Sequence, residues 1–230
     1  MSSTNRSAIR QPDDFYGTPP WVVDAILPHL DLTGQILEPG CGSGAIVKRL
    51  VARGVDPMRI HGVELDEGRA FACLDETGGV MWRGDFLTFP SWAVSAPARF
   101  DLAIGNPPFA LALEFIERAL TLATTVAFVL RLNFLGSQRR AAWHRAHPSD
   151  VYILPRRPSF TEHLEWSADR GERRCELLVP QKQERAKPKR CERAAGHPPE
   201  CMTIGTDSCE YAWFVYGPVR VGRWSILEVP

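Results

Sequence analysis

The sequence predicts an α/β protein whose sheet is doubly wound and mostly parallel. Short apolar runs alternate with segments of helical periodicity from about residue 18 to residue 154, which is the pattern of strands joined by crossover helices. Such crossovers are right-handed, and we expect helices on both faces of the sheet. The 230 residues, 44% of them hydrophobic, suit one domain with an insertion and exclude a wholly disordered or fibrous chain.

The elements follow in order after a polar segment, residues 1–13, that we interpret as a flexible tail. Thr18 before Pro19-Pro20 predicts a helix with Thr18 as its N-cap. A buried strand then ends in a glycine-rich turn, and a second helix begins after Gly44. The predicted strands are 36–37, 60–65, 80–82, 100–104, 126–130, 151–154 and 211–216, with 224–229 pairing with the last of these; the later helices are 67–74, 111–122 and 138–146.

The regular alternation of strands and helices stops after Phe160. Residues 162–204 are polar, basic and proline-containing, and they predict a basic insertion within a domain formed by 14–161 and 205–230. Residues 1–130 carry 10 Lys/Arg against 15 Asp/Glu, whereas residues 131–230 carry 17 against 12. The zero net charge excludes a wholly basic nucleic-acid coat. The basic second half fits either a polyanion partner or a solvated surface.

Other sequence features predict a reduced, metal-free protein in the cytoplasm. No apolar run approaches the roughly 20 residues that cross a bilayer, and the N-terminus lacks the apolar region of a secretory signal. The six cysteines include no C-x-x-C pair, which favours reduced thiols. The same lack of a tight pair argues against a zinc site in the candidate cluster of Cys175, Cys191, His197, Cys201 and Cys209.

A glycine-rich turn, Glu38-Pro39-Gly40-Cys41-Gly42-Ser43-Gly44, follows the first strand. Its glycines let the backbone turn sharply and approach a ligand closely, although a packing turn has the same composition. The turn lacks the Lys-Ser/Thr of a P-loop, and Glu38 disfavours a phosphate. A carboxylate at this position instead suits a cationic group, such as the amino group of a methionine moiety.

Acidic residues end the next two strands. Glu64 could accept hydrogen bonds from ribose hydroxyls, or it could be a surface carboxylate that opens a helix. Asp85 could accept a hydrogen bond from an adenine amino group with Phe86 packed on the ring, or it could serve as a turn or cap residue.

Asn106-Pro107-Pro108-Phe109 follows the fourth strand and is the sharpest motif. The two prolines remove two N–H donors and restrict two φ angles, which leaves carbonyl oxygens able to accept. The Asn106 amide oxygen and the Pro107 carbonyl could accept both hydrogens of one planar amino group and draw its lone pair out of conjugation. Phe109 offers a face for stacking a planar base or amide. A rigid loop that merely ends a strand is the disfavoured alternative, given the motifs upstream.

In this order, the motifs resemble those of class I S-adenosylmethionine (SAM)-dependent amino-methyltransferases. The resemblance is closest to adenine-N6 DNA methyltransferases of the gamma arrangement, in which a Thr-Pro segment and the SAM motifs precede NPP[FY]. It covers about residues 14–161 and 205–217. Residues 15–20 fit the Thr-Pro segment, and the stretches 131–134, 154–160 and 211–214 further resemble small phage or prophage members.

The resemblance implies a Rossmann-like fold with a mostly parallel seven-stranded sheet and an antiparallel C-terminal strand. It also implies SAM as cofactor, DNA as partner, and methyl transfer to the N6 amine of a flipped adenine in the cytoplasm of a bacterial or phage-infected cell. The implied cofactor-binding residues are Tyr16, Thr18, Glu38, Gly40, Gly42, Gly44, Glu64, Asp85, Phe86 and Asn106. The implied catalytic residues are Asn106, Pro107, Pro108 and Phe109, with substrate contacts from Phe109, Arg156, Arg157 and Phe160.

Three other acceptors remain open at this point. NPPF also occurs in enzymes that methylate adenine in RNA or N5 of protein glutamine, and N4 of cytosine in DNA is the third alternative acceptor. Larger DNA methyltransferases carry a recognition domain, and here only 162–204 and loops could serve that purpose. A non-catalytic SAM-binding module would not require the paired acceptors of the motif.

Overall fold

The computed structural model describes residues 17–88, 99–158, 160, 209–218, 220 and 222–228. Eight strands form one sheet: β1 (Ile36–Pro39), β2 (Ile60–Glu64), β3 (Val80–Arg83), β4 (Phe100–Gly105), β5 (Ala123–Arg131), β6 (Asp150–Ile153), β7 (Tyr211–Tyr216) and β8 (Trp224–Ile226). The α-helices are α1 (Pro20–Ile26), α2 (Ala45–Ala52), α3 (Glu67–Thr77), α4 (Ala112–Leu122) and α5 (Ala141–Ala146). Single 3₁₀ turns cover Leu27–His29, Pro57–Arg59, Phe109–Leu111, Leu132–Phe134 and Gln138–Arg140. The predicted tail and the insertion 162–204 lie outside the described residues.

The strand order β3-β2-β1-β4-β5-β7-β6-β8 confirms the predicted α/β, mostly parallel architecture. Strands β1 to β5 are mutually parallel, and β7 runs antiparallel to both β5 and β6. The predicted pairing of 224–229 with β7 is wrong. Both edges of β7 are already occupied, so β8 pairs in parallel with β6 and becomes an eighth strand.

Two hydrophobic cores lie on opposite faces of the sheet, as the doubly wound prediction requires. One core contains apolar residues of α1 and α2, and the other is filled by α4. Strand β7 contributes alternate residues to each core, and all six of its residues are buried. The indole N–H of Trp213 donates to the Val22 carbonyl of α1 at 2.9 Å, which satisfies the polar edge of a fully buried ring. Trp213 and Phe214 are therefore core residues, as predicted.

The helix ends are set by local chemistry, with one correction to the predicted caps. Thr18 is not the N-cap of α1: Pro19 occupies that position, and no side chain caps the helix. Thr18 is instead buried at 5% exposure. Helix α3 begins where the Asp66 carboxylate accepts from the Arg69 N–H at 2.9 Å, and it ends at Gly78, whose φ of 68° is left-handed.

Helix α4 passes directly into β5 without a loop. The sequence predicts β5 from Val126, whereas the strand begins at Ala123, which is already extended as the C-cap of α4. Among the described residues, no helix is long and apolar enough to cross a membrane.

Candidate active site

The predicted motifs meet at the carboxyl edge of the parallel sheet. Strands β3, β2, β1 and β4 are neighbours and all run the same way, so the segments that follow them lie side by side. Gly105 at the end of β4 is tightly surrounded: a Cβ there would lie 3.4 Å from the Pro39 carbonyl oxygen and 3.4 Å from the Phe128 ring. This close approach places the Asn106 loop beside the glycine turn. Ligands bind at such edges in open α/β sheets.

The glycine turn is built from left-handed backbone. Gly40, Gly42 and Gly44 have φ values of 66°, 55° and 80°, which side-chain-bearing residues rarely adopt. The Gly40 N–H donates to the Val63 carbonyl at 2.7 Å, so the turn is held against the end of β2. A Cβ on Gly44 would lie 2.5 Å from the Cys73 sulfur of α3. The turn therefore requires glycine both for its dihedral angles and for its packing.

The buried Glu64 carboxylate connects this turn to the start of α3. Oε2 accepts from the Gly42 N–H at 2.8 Å, and Oε1 accepts from the Asp66 N–H at 2.9 Å and from Arg69 Nε at 3.2 Å. A carboxylate oxygen has two lone pairs, so these contacts leave capacity for hydroxyl donors. Glu64 is therefore a buried carboxylate at the carboxyl edge of the sheet that can accept further hydrogen bonds.

Glu38 is the most unusual charge in the site. It is 3% exposed, and within the described part of the chain its Oε2 accepts no hydrogen bond. Burial raises the pKa of this carboxyl well above its usual range, the neighbouring Cys73 and Glu64 groups add to the increase, and a hydrogen bond from the Val47 backbone only partly opposes them. A buried carboxylate is costly without a cationic partner. Glu38 therefore fits the predicted contact with a positively charged ligand group.

Asp85 and Phe86 follow β3 and lie in contrasting environments. Asp85 is exposed, and its Oδ1 accepts from the Leu87 N–H at 3.0 Å in a local turn. Phe86 is 3% exposed and packs against Phe115 of α4 with 5.1 Å between ring centroids. Phe86 is thus a core residue, which leaves little of its ring for a ligand. Tyr16, the other aromatic residue predicted for the cofactor site, lies outside the described residues.

The Asn106–Phe109 loop follows directly after β4, which ends at Gly105. Asn106 is partly buried with its amide oxygen covered, and Pro107 is buried. The Pro108 carbonyl accepts from the Leu111 N–H at 2.9 Å and so closes the 3₁₀ turn that carries Phe109. Phe109 is partly exposed, which leaves part of its ring open to a planar ligand.

An aromatic cluster surrounds Phe109, and only half of it is predicted by the sequence. The predicted Phe160 lies edge-on to Phe109 with 6.3 Å between ring centroids. Tyr211, the first residue of β7, lies 5.6 Å from Phe109 and 4.8 Å from Phe160. The Arg131 guanidinium covers the Phe109 ring at 4.8 Å. Neither Tyr211 nor Arg131 is among the site residues predicted from the sequence, although the segments 131–134 and 211–214 both belong to the resemblance described above.

The two arginines predicted for substrate binding follow β6 at the same edge. The Arg156 guanidinium stacks on the Trp21 ring at 4.5 Å. Arg157 is exposed and forms an ion pair with Glu210 at 2.5 Å, which lowers the pKa of the Glu210 carboxyl. Part of the Arg157 charge is therefore neutralised within the protein.

The described residues contain no group of three metal-ligating side chains. Four members of the candidate zinc cluster lie outside the described part of the chain. The fifth, Cys209, is partly buried against the core, two residues before β7.

Comparison with solved structures identifies the architecture. A candidate RNA methyltransferase of Pyrococcus horikoshii, PH1948, superposes with a TM-score of 0.56 at 12% identity over 90% of each chain. The 23S rRNA methyltransferase ErmE superposes with a TM-score of 0.51 at 14% identity, over 91% of this chain and 70% of that protein. A modification subunit of a candidate type I restriction enzyme of Vibrio vulnificus superposes with a TM-score of 0.54 at 15% identity, over 94% of this chain and 47% of that protein.

This is the Rossmann-like methyltransferase fold. The site described above occupies the carboxyl edge of its sheet, and β7 is the antiparallel strand of that fold.

Curated sequence relatives are similar over a shorter range, and no family model matches the chain. The tRNA1(Val) (adenine(37)-N6)-methyltransferase of Salmonella enteritidis is 34% identical over 97 residues, which are 40% of this chain and 39% of that protein. The enzyme of the same name from Proteus mirabilis is 33% identical over 78 residues, which are 32% of this chain and 31% of that protein. The matched segment thus spans only about a third to two fifths of these relatives.

Proposed function

We propose that this protein transfers a methyl group from SAM to the exocyclic N6 amine of adenine in DNA. The observation that carries the proposal is the Asn106–Phe109 loop at the end of β4, held beside the left-handed glycine turn by the close packing of Gly105 on Pro39. This arrangement brings an amine-binding motif next to a cofactor-type turn. The names of the sequence relatives support adenine N6 over cytosine or glutamine as the methyl acceptor.

The residues at the edge of the sheet fit SAM. Glu38 has a buried oxygen with no hydrogen-bond partner in the described chain, which suits an ammonium group. The left-handed glycine turn allows close approach of a ligand to the backbone, and Glu64 retains acceptor capacity for ribose hydroxyls. Asp85 remains the proposed contact to the cofactor adenine. When bound, SAM supplies an electrophilic methyl group on a sulfonium.

The loop residues would activate and orient the target amine. The Asn106 amide oxygen and the Pro107 carbonyl would accept its two hydrogens, which would make the nitrogen lone pair available to attack the sulfonium methyl carbon in line as the bond from that carbon to sulfur breaks. Phe109 stacks on the base, and Phe160 limits the pocket from the side. A strong general base is not needed, because the methylated amine loses its proton readily. Orientation therefore supplies most of the rate enhancement, and the cost of flipping the base is offset by contacts to the nucleic-acid backbone.

RNA is the second candidate substrate, and a specific observation favours it: the sequence relatives are by name tRNA methyltransferases. Both polymers present the same adenine edge and the same phosphates to the basic residues at this face. DNA has the support of the motif order and of the segments that resemble small phage enzymes. A methylation assay in which DNA and RNA are offered separately to the same protein therefore decides between the two substrates.

The test is to incubate the purified protein with methyl-labelled SAM and, separately, with unmethylated genomic DNA, total tRNA, ribosomal RNA and a protein extract. The methylated unit is then identified after digestion. N6-methyladenine from DNA is the expected product. Label found only in RNA would move the assignment to the second candidate, and label found only in protein would refute both.

A pair of variants then tests the catalytic loop. Asn106→Ala removes the proposed acceptor, so we expect transfer to be lost while SAM still binds. Asn133→Ala removes an exposed asparagine outside the loop and serves as the matched control. Near-normal turnover by Asn106→Ala would refute the catalytic assignment.

A further inference from the structure

Arg131 and Tyr211 form a fixed pair at the carboxyl edge of the sheet. They are register partners at the ends of β5 and β7, and the Leu132 N–H continues this ladder by donating to the Glu210 carbonyl at 3.0 Å. Arg131 Nε donates to the Tyr211 hydroxyl at 3.2 Å. Tyr211 itself is only 1% exposed. The backbone and the side-chain direction of Arg131 are therefore set by a paired strand and a buried ring.

This pair holds the ring of Phe109. The Arg131 guanidinium lies over the ring at 4.8 Å, while the rings of Tyr211 and Phe160 contact it at 5.6 and 6.3 Å. Phe109 is the first residue of a single 3₁₀ turn whose other two residues, Ala110 and Leu111, are exposed, so that turn alone would restrain the ring weakly. A planar guanidinium stacks on an aromatic face, whereas an ammonium has no plane to align with the ring.

We propose that Arg131 is a positioning residue that, anchored by the Tyr211 hydroxyl, fixes the plane of Phe109 on which the target base stacks. The inference rests on the function proposed above and adds two residues to it. Its effect belongs to acceptor binding and turnover, because the Arg131 guanidinium lies over the ring on which the acceptor base would stack.

The kinetic test uses variants that separate the planar shape of the Arg131 guanidinium from its positive charge. Arg131→Lys keeps the charge but loses the planar guanidinium, Arg131→Gln loses both, and Tyr211→Phe loses only the hydroxyl. The matched control is Arg140→Gln, because Arg140 stacks at 4.6 Å on Phe134, outside the Asn106 loop. Each variant is assayed for kcat, for KM of the nucleic acid and of SAM, and for thermal unfolding.

We expect kcat/KM for the acceptor to fall about tenfold in Arg131→Gln and nearly as much in Arg131→Lys, since both variants lose the planar guanidinium that stacks on the ring. The fall in Tyr211→Phe should be about threefold. The KM for SAM should stay within about twofold throughout, and Arg140→Gln should resemble the wild type. Wild-type kinetics in Arg131→Lys would overturn the proposal, because charge alone would then suffice. An equal rise in the KM for SAM would also overturn it, because the role would then be general to the fold.

A second measurement needs no methyl transfer. Protein labelled with 4-fluorophenylalanine gives a ¹⁹F signal for Phe109, which is assigned by its loss in Phe109→Leu. Arg131→Gln and Tyr211→Phe should both shift or broaden that signal, whereas Arg140→Gln should move the Phe134 signal instead. An unchanged Phe109 signal in Arg131→Gln would refute the positioning role. A wild type that methylates no acceptor would refute the proposed function, and the ¹⁹F result would still decide the role of Arg131.

Discussion

Substitution of Gly44 by alanine probes how the glycine turn is held. Gly44 has φ = 80°, and a Cβ would lie 2.5 Å from the Cys73 sulfur, 3.3 Å from its Cβ and 3.5 Å from its Cα. Left-handed backbone costs a non-glycine residue roughly 1–2 kcal/mol. Overpacking in a buried site adds typically about 1–3 kcal/mol. We therefore expect Gly44→Ala to lower the free energy of unfolding by roughly 2–5 kcal/mol.

Gly54 provides a matched control within the same chain. Its φ is 87°, but a Cβ there would have no heavy atom within 4 Å. Gly54→Ala should therefore show only the backbone cost of roughly 1–2 kcal/mol. The difference between the two variants isolates the steric contact with Cys73. Turning the sulfur away would relieve only part of that contact, because the Cβ of Cys73 would remain close.

The assay is urea unfolding followed by tryptophan fluorescence, extended to a double-mutant cycle with Cys73→Ala. Removing the sulfur should recover about 1–3 kcal/mol of the Gly44→Ala loss as a favourable coupling energy. Equal destabilisation in Gly44→Ala and Gly54→Ala, together with zero coupling to Cys73, would refute the reasoning. It would mean that the turn relaxes freely around a side chain.

Three further predictions concern charge and helix capping. Because burial raises the pKa of Glu38, the ligand-free fold binds more protons there than the unfolded chain does, and its stability should fall as the pH rises from the usual glutamate range to the raised pKa. Glu38→Gln should remove this pH dependence of thermal unfolding and should weaken SAM binding in calorimetry. An unchanged pH dependence in Glu38→Gln would contradict the prediction. Burial tends to raise the pKa of Asp24, but its hydrogen bonds with Arg49 and Arg53 lower that pKa overall. Asp24→Asn should therefore reduce stability at neutral pH, by an amount that shrinks as the pH falls through the lowered pKa. A loss of stability in Asp24→Asn that persists at low pH would refute this prediction. Asp66→Ala removes the N-cap of α3 and should lower the free energy of unfolding by about 1 kcal/mol in urea titrations, whereas no loss would show that the cap is replaced.

Local patterns were sufficient to predict the strands that precede the site. Each of β1 to β4 is a short apolar run that is followed by a motif of distinctive composition, and each coincides with a strand predicted from the sequence. The parallel arrangement then required that these motifs share one edge. This is why Glu38, Glu64 and Asn106 could be grouped from the sequence before any distance was known.

The partners of those residues could not be predicted in the same way. The sequence indicates that an acid follows β2, but it does not indicate that the Glu64 carboxylate accepts from the Gly42 N–H. It shows an aromatic residue after Asp85, but not that Phe86 points into the core against Phe115. Such contacts depend on which rotamer the surrounding packing permits, and that choice involves residues far apart in the chain.

By itself, the sequence determined the α/β class, the order of the motifs and the edge at which they meet, because alternating periodicity and strand-end composition are local properties. Only the tertiary structure decided the register of β7, which brings Tyr211 opposite Arg131 and next to Phe109. Strand β7 is buried on both faces, so its six residues lack the polar alternation from which a register can be read. The tertiary structure also decided the partner of β8, which pairs with the edge of β6 that β7 leaves open.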